Sequence, residues 1–452
     1  MTVALVATMA MSAGSVARAL DLHPAFSSVA FLIAVAALAA HAFRPPGAPL
    51  EAGIADRAGR SLIAVAVVAV VAERHLLVAS RAVAPDDVLA LVVVAAMVLP
   101  GGSRWRAVGA GLAVAAYVTS ALTLIAASPY RSDAVVATHG GAELLLAGRH
   151  PYADFDMIER LSRFGLPPEF ATPLEDGTRL RSLNYPALAI VSPAPFVAAG
   201  LSDVRVLYLA EVLAIFALVS LSVAPRARAV ALALCIGNLV ILGQFVLAGV
   251  DPLWALLVLA AWRARRRTIS AVLIGLALAD RQLAWLIAPF LIAWAWRDLG
   301  RREALARAAI AGAVALLVHV PFLVTAPAAV IGGITDVVLL PLEARGVGPA
   351  GAGLAAVIPR GVFLAAAAIT YVAALWAFAT ARARGRTAPL LLPLLPVWLA
   401  WRALPSYFAF LPVMALLEDG AAPAAAPAAK GGGAADRREE EGGARSATAG
   451  RT

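Results

Sequence analysis

What most constrains this chain is a succession of apolar runs, each near the length of a membrane-crossing helix and separated by short polar breaks. At about 20 apolar residues per crossing, early runs lie at 25–43, 61–80, 86–100 and 107–127. After a long polar interval come 185–200, 204–223, 228–248, 251–262, 268–280, 283–297, 305–325, 354–380, 388–403 and 405–417. A chain that is 62% hydrophobic and 14% charged cannot hide that much apolar surface in a water-soluble core. The runs also lack the alternation, over about ten residues, that marks a membrane barrel. The sequence therefore predicts an all-α fold, a polytopic transmembrane helical bundle of about 12–14 segments. Several runs are short and bounded by proline, which a membrane tolerates only where the backbone is buried in protein or lines a cavity. The stretch Val3–Leu20 has no basic start and carries Arg18 near its end. It reads as a weak membrane segment and not as a cleavable signal peptide.

The formal net charge of +9 does not imply nucleic acid, because the basic residues form no single patch. They fall in clusters between apolar runs: Arg44 to Arg60, Arg104 with Arg106, Arg226 with Arg228, Arg263 to Arg267, Arg297 to Arg307, and Arg382 to Arg386. This is the positive-inside pattern, which implies contact with anionic membrane lipids in a multi-pass cell-membrane protein. Cytoplasmic clusters leave the loop 128–184 on the extracytoplasmic face. That assignment holds only if 185–200 enters the membrane to half depth and returns. The single cysteine, Cys235, lies in an apolar run and allows neither an internal disulfide nor a thiolate metal site. From Glu418 onward the composition collapses to alanine, proline, glycine and mixed charge, the signature of a disordered tail, here expected in the cytoplasm. The chain thus divides into N-terminal helices over 1–106, a membrane core over 107–417, and the tail 418–452.

The stretch from Ser128 to Pro186 is the one long interval where charges, aromatics, prolines and glycines interrupt the apolar pattern. A polar loop of this size between membrane segments points to function. Asp133 follows the run 107–127, where a carboxylate can take a proton from a substrate hydroxyl; the plainer reading is a solvated cap on the next helix. The segment 134–147 has apolar residues at helical spacing and predicts an amphipathic helix lying on the membrane. Its polar members His139 and Glu143 are four apart and share a face. With no second such pair they do not make a metal site, and a surface-exposed pair is expected. Gly148 and Pro151 end that helix, and Tyr152, Asp154 and Asp156 follow on an extended segment. With Asp133 these aspartates form a small acidic group on one face, although each alone reads as a loop solvator. Tyr185, in Asn184–Tyr185–Pro186, is an interfacial aromatic able to shape a pocket.

Further along, Gln244 and Asp251 place polar groups at the outer end of a hydrophobic helix pair. Asp280, Arg281 and Gln282 interrupt two apolar halves. The Arg281 guanidinium suits bidentate contact with a phosphate, the plainer reading being an Asp280–Arg281 pair closing a helical hairpin. Arg402 and Tyr407 occupy a similar place before the last segment, Arg402 reading either as a second phosphate contact or as a residue snorkelling to the interface. There is no phosphate-binding glycine loop, HExxH or nucleophile elbow in context.

These residues resemble the GT-C-type integral-membrane glycosyltransferases, especially the bacterial polyprenyl-phosphate-mannose-dependent mannosyltransferases. The likeness lies in SDAVVATHGGAELLLAGRHPY (132–152), NYPAL (184–188), GQ (243–244) and ADRQ (279–282). It spans roughly 107–417, although that family usually carries lysine where Arg281 stands and begins its core with one helix before the acidic loop. The resemblance implies a large extracytoplasmic first catalytic loop with Asp133 as general base. It implies a polyprenyl-phosphate-linked sugar donor, with Arg281 and Arg402 on its phosphate, and a glycan or glycolipid acceptor. Inverting transfer in one displacement follows, with no cofactor, since a lipid-phosphate leaving group needs no nucleotide-binding domain and need not require a metal. Gln282, Tyr407, Tyr152, Asp154, Asp156, Tyr185, Gln244 and His139 complete the expected substrate-binding set. The competing class is a multi-pass transporter or lipid flippase, in which the same polar residues line a path.

Overall fold

The computed structural model describes residues 2–19, 24–43, 61–72, 88, 90–94, 103–380 and 385–419. The Arg44–Arg60 cluster, most of the run 86–100 and nearly all of the tail from Glu418 lie outside the described residues. The molecule is mostly helical. Helices α1 (Thr2–Ala19) and α2 (Pro24–Phe43) lie against each other, with Ser27 Oγ donating to the Gly14 carbonyl at 2.8 Å. The short helix α3 spans Ser61–Ala72. These N-terminal helices share a core with the far end of the chain: Ala7 and Met11 of α1 are buried with Phe408 to Leu417, and the Phe31 and Phe408 rings meet at 6.2 Å.

Among the described residues, four helices are long and apolar enough to cross a membrane: α4 (Ser103–Ala127), α7 (Arg205–Ser222), α12 (Arg301–Thr325) and α14 (Arg360–Ala379). A fifth candidate is the pair α8 (Arg228–Ile236) and 239–247, bent by 44° between them. Asn238 makes the bend. Its Nδ2 donates to the Ala409 carbonyl at 2.7 Å and its Oδ1 accepts from the Ile241 N–H at 3.4 Å. Most of the other expected segments are shorter helices, among them α9 (Leu253–Arg263) and α10 (Arg267–Asp280), while α11 runs Gln282–Leu299 with Pro289 inside it and α13 (Pro327–Leu339) is an apolar helix where no run was expected. The expected run 185–200 breaks into Leu188–Val191 and Ala194–Ala198. Even at full helical rise the span Leu188–Ala198 covers only about 16 Å, against about 30 Å of hydrocarbon, so it is too short for a crossing.

The loop after α4 folds into a second core. Its helices are α5 (Asp133–Leu146) and α6 (Met157–Arg163), packed with Leu183, Ile190, Tyr208 and Phe322. The expectation of a surface helix at 134–147 is corrected here, because α5 is buried from Ala134 through Ala142. Paired glycines permit this. A Cβ on Gly140 would meet Arg160 Cδ at 3.0 Å, and one on Gly141 would meet Ile190 at 3.1 Å. Arg205, fully buried, joins the two cores by donating to the carbonyls of Ile125 (2.9 Å), Ser128 (2.7 Å) and Leu247 (3.3 Å). Cations at a helix C-terminus satisfy orphan carbonyls in this way. Two short parallel strands, β1 (Arg345–Gly346) and β2 (Arg402–Ala403), pair Arg345 with Arg402.

A candidate acid–base and anion site

Asp133 is the first residue of α5, not its cap; Ser132 precedes the helix and donates instead to the Ala248 carbonyl at 2.6 Å. The Asp133 side chain turns to Thr172, accepting at Oδ2 from the Thr172 N–H (2.9 Å) and hydroxyl (2.6 Å). Among the described residues no hydrogen bond reaches Oδ1, so the carboxylate is anchored through one oxygen with the other free for a ligand. Hydrogen bonds to a charged acceptor fix orientation more firmly than neutral ones.

Asp133 opens into a cavity of about 810 Å³. Its wall brings together seven of the eleven residues singled out in the sequence: Asp133, Tyr185, Gln244, Arg281, Gln282, Arg402 and Tyr407. Each is delivered by a local break in helix. Gln244 sits in a π-helical turn, Leu242–Leu247, the kind of insertion that re-aims a side chain. Arg281 is an extended residue, φ −144° and ψ 142°, between the end of α10 and the start of α11. Gln282 donates to the Asn184 carbonyl at 2.7 Å and so ties the loop's end to that break. Tyr407 closes a 3₁₀ turn that begins at Pro405, and its hydroxyl feels the charges of Arg402, Arg281 and Asp133 together.

Arg281 is a buried cation of the cavity wall, 5% exposed. Its guanidinium carbon stands 3.9 Å from the centroid of the Tyr185 ring, a cation–π contact. Its ion-pair partner is Asp251, with Nε to Oδ2 at 3.9 Å, and not Asp280, so the expected Asp280–Arg281 hairpin pair is replaced by one between elements. Among the described residues, Nε and Nη2 of Arg281 carry no hydrogen bond, and neither do Oδ2 of Asp251 and both carboxylate oxygens of Asp280. Buried guanidinium donors without partners are expensive, and they are what an anionic ligand would satisfy.

The cavity also holds residues that the sequence did not single out: Arg131, Glu169, Thr172, Arg345 and Arg360. Arg345 reaches it only through the strand pairing with Arg402, a contact between positions far apart in the chain. Beneath Arg281, Glu211 lies near Asp251 along with Asp280. Glu211 had a sequence signal that went unused, being a lone carboxylate inside an apolar run.

The other four expected residues do not line the cavity; their side chains hold the loop together. Tyr152 is buried and donates to the Tyr185 carbonyl at 2.8 Å. Asp154 accepts from the His150 N–H at 2.9 Å. Asp156 caps α6 through the N–H groups of Ile158 and Glu159 and pairs with Arg181. Partial burial pushes the Asp156 carboxyl up, but these hydrogen bonds outweigh it and hold it below the usual carboxylate range. His139, expected at the surface with Glu143, is 4% exposed. The Tyr130 hydroxyl meets its Nδ1 at 2.8 Å, and burial pulls its imidazole below the ordinary value against the opposing charge of Glu143. Glu143 turns to Arg163 and Arg160. Among the described residues no group of three or more His, Cys, Asp or Glu side chains is arranged to hold a metal ion.

The chain matches no family model, no curated protein and no solved structure. Its function is therefore argued from the chemistry of this cavity.

Proposed function

We propose that the chain is an integral-membrane glycosyltransferase that moves a sugar, mannose by the resemblance noted above, from a polyprenyl-phosphate donor to an acceptor hydroxyl. The observation that carries this reading is one cavity lined by both an anchored carboxylate, Asp133, and a buried guanidinium with unsatisfied donors, Arg281. In the reaction, the acceptor hydroxyl attacks the anomeric carbon. Its proton passes to Asp133, the new C–O bond forms, and the bond from the anomeric carbon to the phosphate oxygen breaks with inversion. The electron pair leaves on the lipid phosphate, stabilised by Arg281 and Arg402. Glu169 and Gln244 offer hydrogen-bonding groups to the sugar. The acceptor is a glycan or glycolipid.

The placement of charge supports an extracytoplasmic site. Arg263 ends α9, Arg267 begins α10, and Arg267 meets Glu303 of α12 at 3.3 Å. Asp280 to Gln282 lie at the opposite end of α10, about 21 Å away along its axis. If the arginine-rich ends are cytoplasmic, the cavity faces outward, within a bundle of about 12–14 segments of GT-C type.

The test is transfer of label from polyprenyl-phosphate-mannose in membranes, with Asp133→Asn beside the wild type. Turnover should fall by about 10²–10⁴-fold, the usual worth of a general base, with thermal stability retained. Equal rates would remove Asp133 as the base. The second reading, a transporter or lipid flippase, is favoured by the buried charged group Glu211, Asp251, Asp280 and Arg281. Lipid translocation by the wild type without sugar transfer would put it first.

A further inference from the structure

The buried charge group at Arg281 holds more acid than its one cation balances. Glu211 of α7, Asp251 before α9 and Asp280 at the end of α10 are 8%, 1% and 0% exposed. Asp251 is the centre of the group. Its Oδ1 accepts from the Leu253 N–H at 2.8 Å, and its Oδ2 faces Nε of Arg281 at 3.9 Å. Glu211 and Asp280 each stand within hydrogen-bonding reach of Asp251. Among the described residues, Oε2 of Glu211, Oδ2 of Asp251 and both oxygens of Asp280 nevertheless find no donor. Ionised carboxylates only accept hydrogen bonds and cannot satisfy one another, whereas a protonated one supplies an O–H. Three ionised acids against one guanidinium would also leave two negative charges uncompensated in a dry interior, which is expensive. Protons on Glu211 and Asp280 remove both difficulties and leave Asp251 as the carboxylate paired with Arg281.

The other groups facing this set add no positive charge to it. The Tyr208 hydroxyl, also on α7, meets Thr138 Oγ1 of α5 at 2.6 Å, and the Tyr185 ring lies against the guanidinium. Asp133, Arg402 and the Tyr407 hydroxyl act from the cavity wall. Arg281 therefore serves two sides, since it lines the cavity and also neutralises Asp251. An anion that takes its charge from the cavity leaves Asp251 uncompensated. We propose that Glu211, Asp251 and Asp280 form a proton-binding site that takes up one further proton when an anion occupies Arg281 and returns it when the anion leaves. It rests on the functional reading above in that the anion is a phosphate group. An O–H bond forms on the carboxylate that had been paired with Arg281, the proton coming from solvent, and no other covalent bond changes. Such coupling is reciprocal: if phosphate binding draws a proton in, raising the pH weakens phosphate binding.

The probe is citronellyl methyl phosphate, a phosphodiester whose single negative charge does not titrate near neutral pH. Its binding to the purified full chain in detergent is followed by calorimetry in two buffers of different ionisation enthalpy, a comparison that counts the protons taken up. The wild type should take up about one proton per ligand, and its affinity should fall about tenfold between pH 7 and pH 8. The triple variant Glu211→Gln, Asp251→Asn, Asp280→Asn should bind the probe with no uptake and no such fall. Asp251→Asn alone serves if the triple variant does not fold, and should cut the uptake by at least half. Arg281→Met combined with Asp251→Asn should lose most of the affinity. Wild-type uptake near zero, with affinity still dependent on Arg281, would overturn the proton site alone. Undiminished uptake in the triple variant would overturn it too, and loss of that uptake in Asp133→Asn would then place the proton on the cavity carboxylate. Binding indifferent to the Arg281→Met, Asp251→Asn pair would overturn the phosphate reading beneath it.

Discussion

At the scale of single residues, the loop after α4 separates chemistry from support by which side chains find internal partners. Asp154 and Asp156 satisfy backbone N–H groups, whereas Asp133 is held at one oxygen and faces the cavity. His139 belongs with the support. It faces Tyr130, which also accepts the Val204 N–H, and is acted on by Glu143, Asp203 and Arg163. Burial lowers its folded-state pKa beneath the ordinary 6.5, so below that value the unfolded chain binds the proton more readily. Its neutral form therefore supports the fold fully above the ordinary value, and that support is lost as pH falls through the lowered one. The wild type should melt at a lower temperature near pH 5.5 than near pH 7.5, and His139→Gln should narrow the gap. A gap of the same size in the variant would acquit His139.

At the scale of elements, the cavity is built where helices stop. A π turn presents Gln244, an extended residue between α10 and α11 presents Arg281, and a two-residue strand pair presents Arg345 beside Arg402. That pair depends on Gly346, whose φ of 120° lies outside the range of ordinary residues and whose missing Cβ leaves space for the Ala403 carbonyl. Gly346→Ala should cost about 1–3 kcal/mol through backbone strain and displacement. It should also weaken lipid-phosphate binding, because both arginines lose their register. A thermal melt together with a phosphate-competition curve checks this; a stable variant with wild-type affinity would show that the strands do not set the arginines.

At the scale of the whole molecule, one charge group links segments that the sequence keeps far apart. Arg281 follows α10, Glu211 lies on α7, and Asp251 precedes α9, all buried. Removing one member of a buried pair leaves the other uncompensated and costs about 3–5 kcal/mol. Arg281→Met should therefore destabilise the protein strongly, and adding Asp251→Asn should recover much of the loss. Thermal melts of the two single variants and the double variant form the test, and strictly additive losses would show that the two side chains are not coupled.

Periodicity and hydropathy in the sequence determined the helical membrane character, because apolar runs of crossing length have few other folds open to them. The same patterns located the polar breaks, and seven of the residues marked there line the cavity, because a polar group inside an apolar run is retained at a price that only a partner or a ligand offsets. Tertiary structure decided the rest. It buried α5, which amphipathic spacing had placed at the surface, because glycines on that helix let neighbours approach from the polar side. It gave Arg281 to Asp251 instead of the adjacent Asp280, since an extended backbone turns successive side chains apart. It also brought in Thr172 and Arg345, which lie in segments without period or motif, and Arg360, the first residue of α14. Local sequence specifies where a helix ends; which distant side chains meet at that end is set by packing.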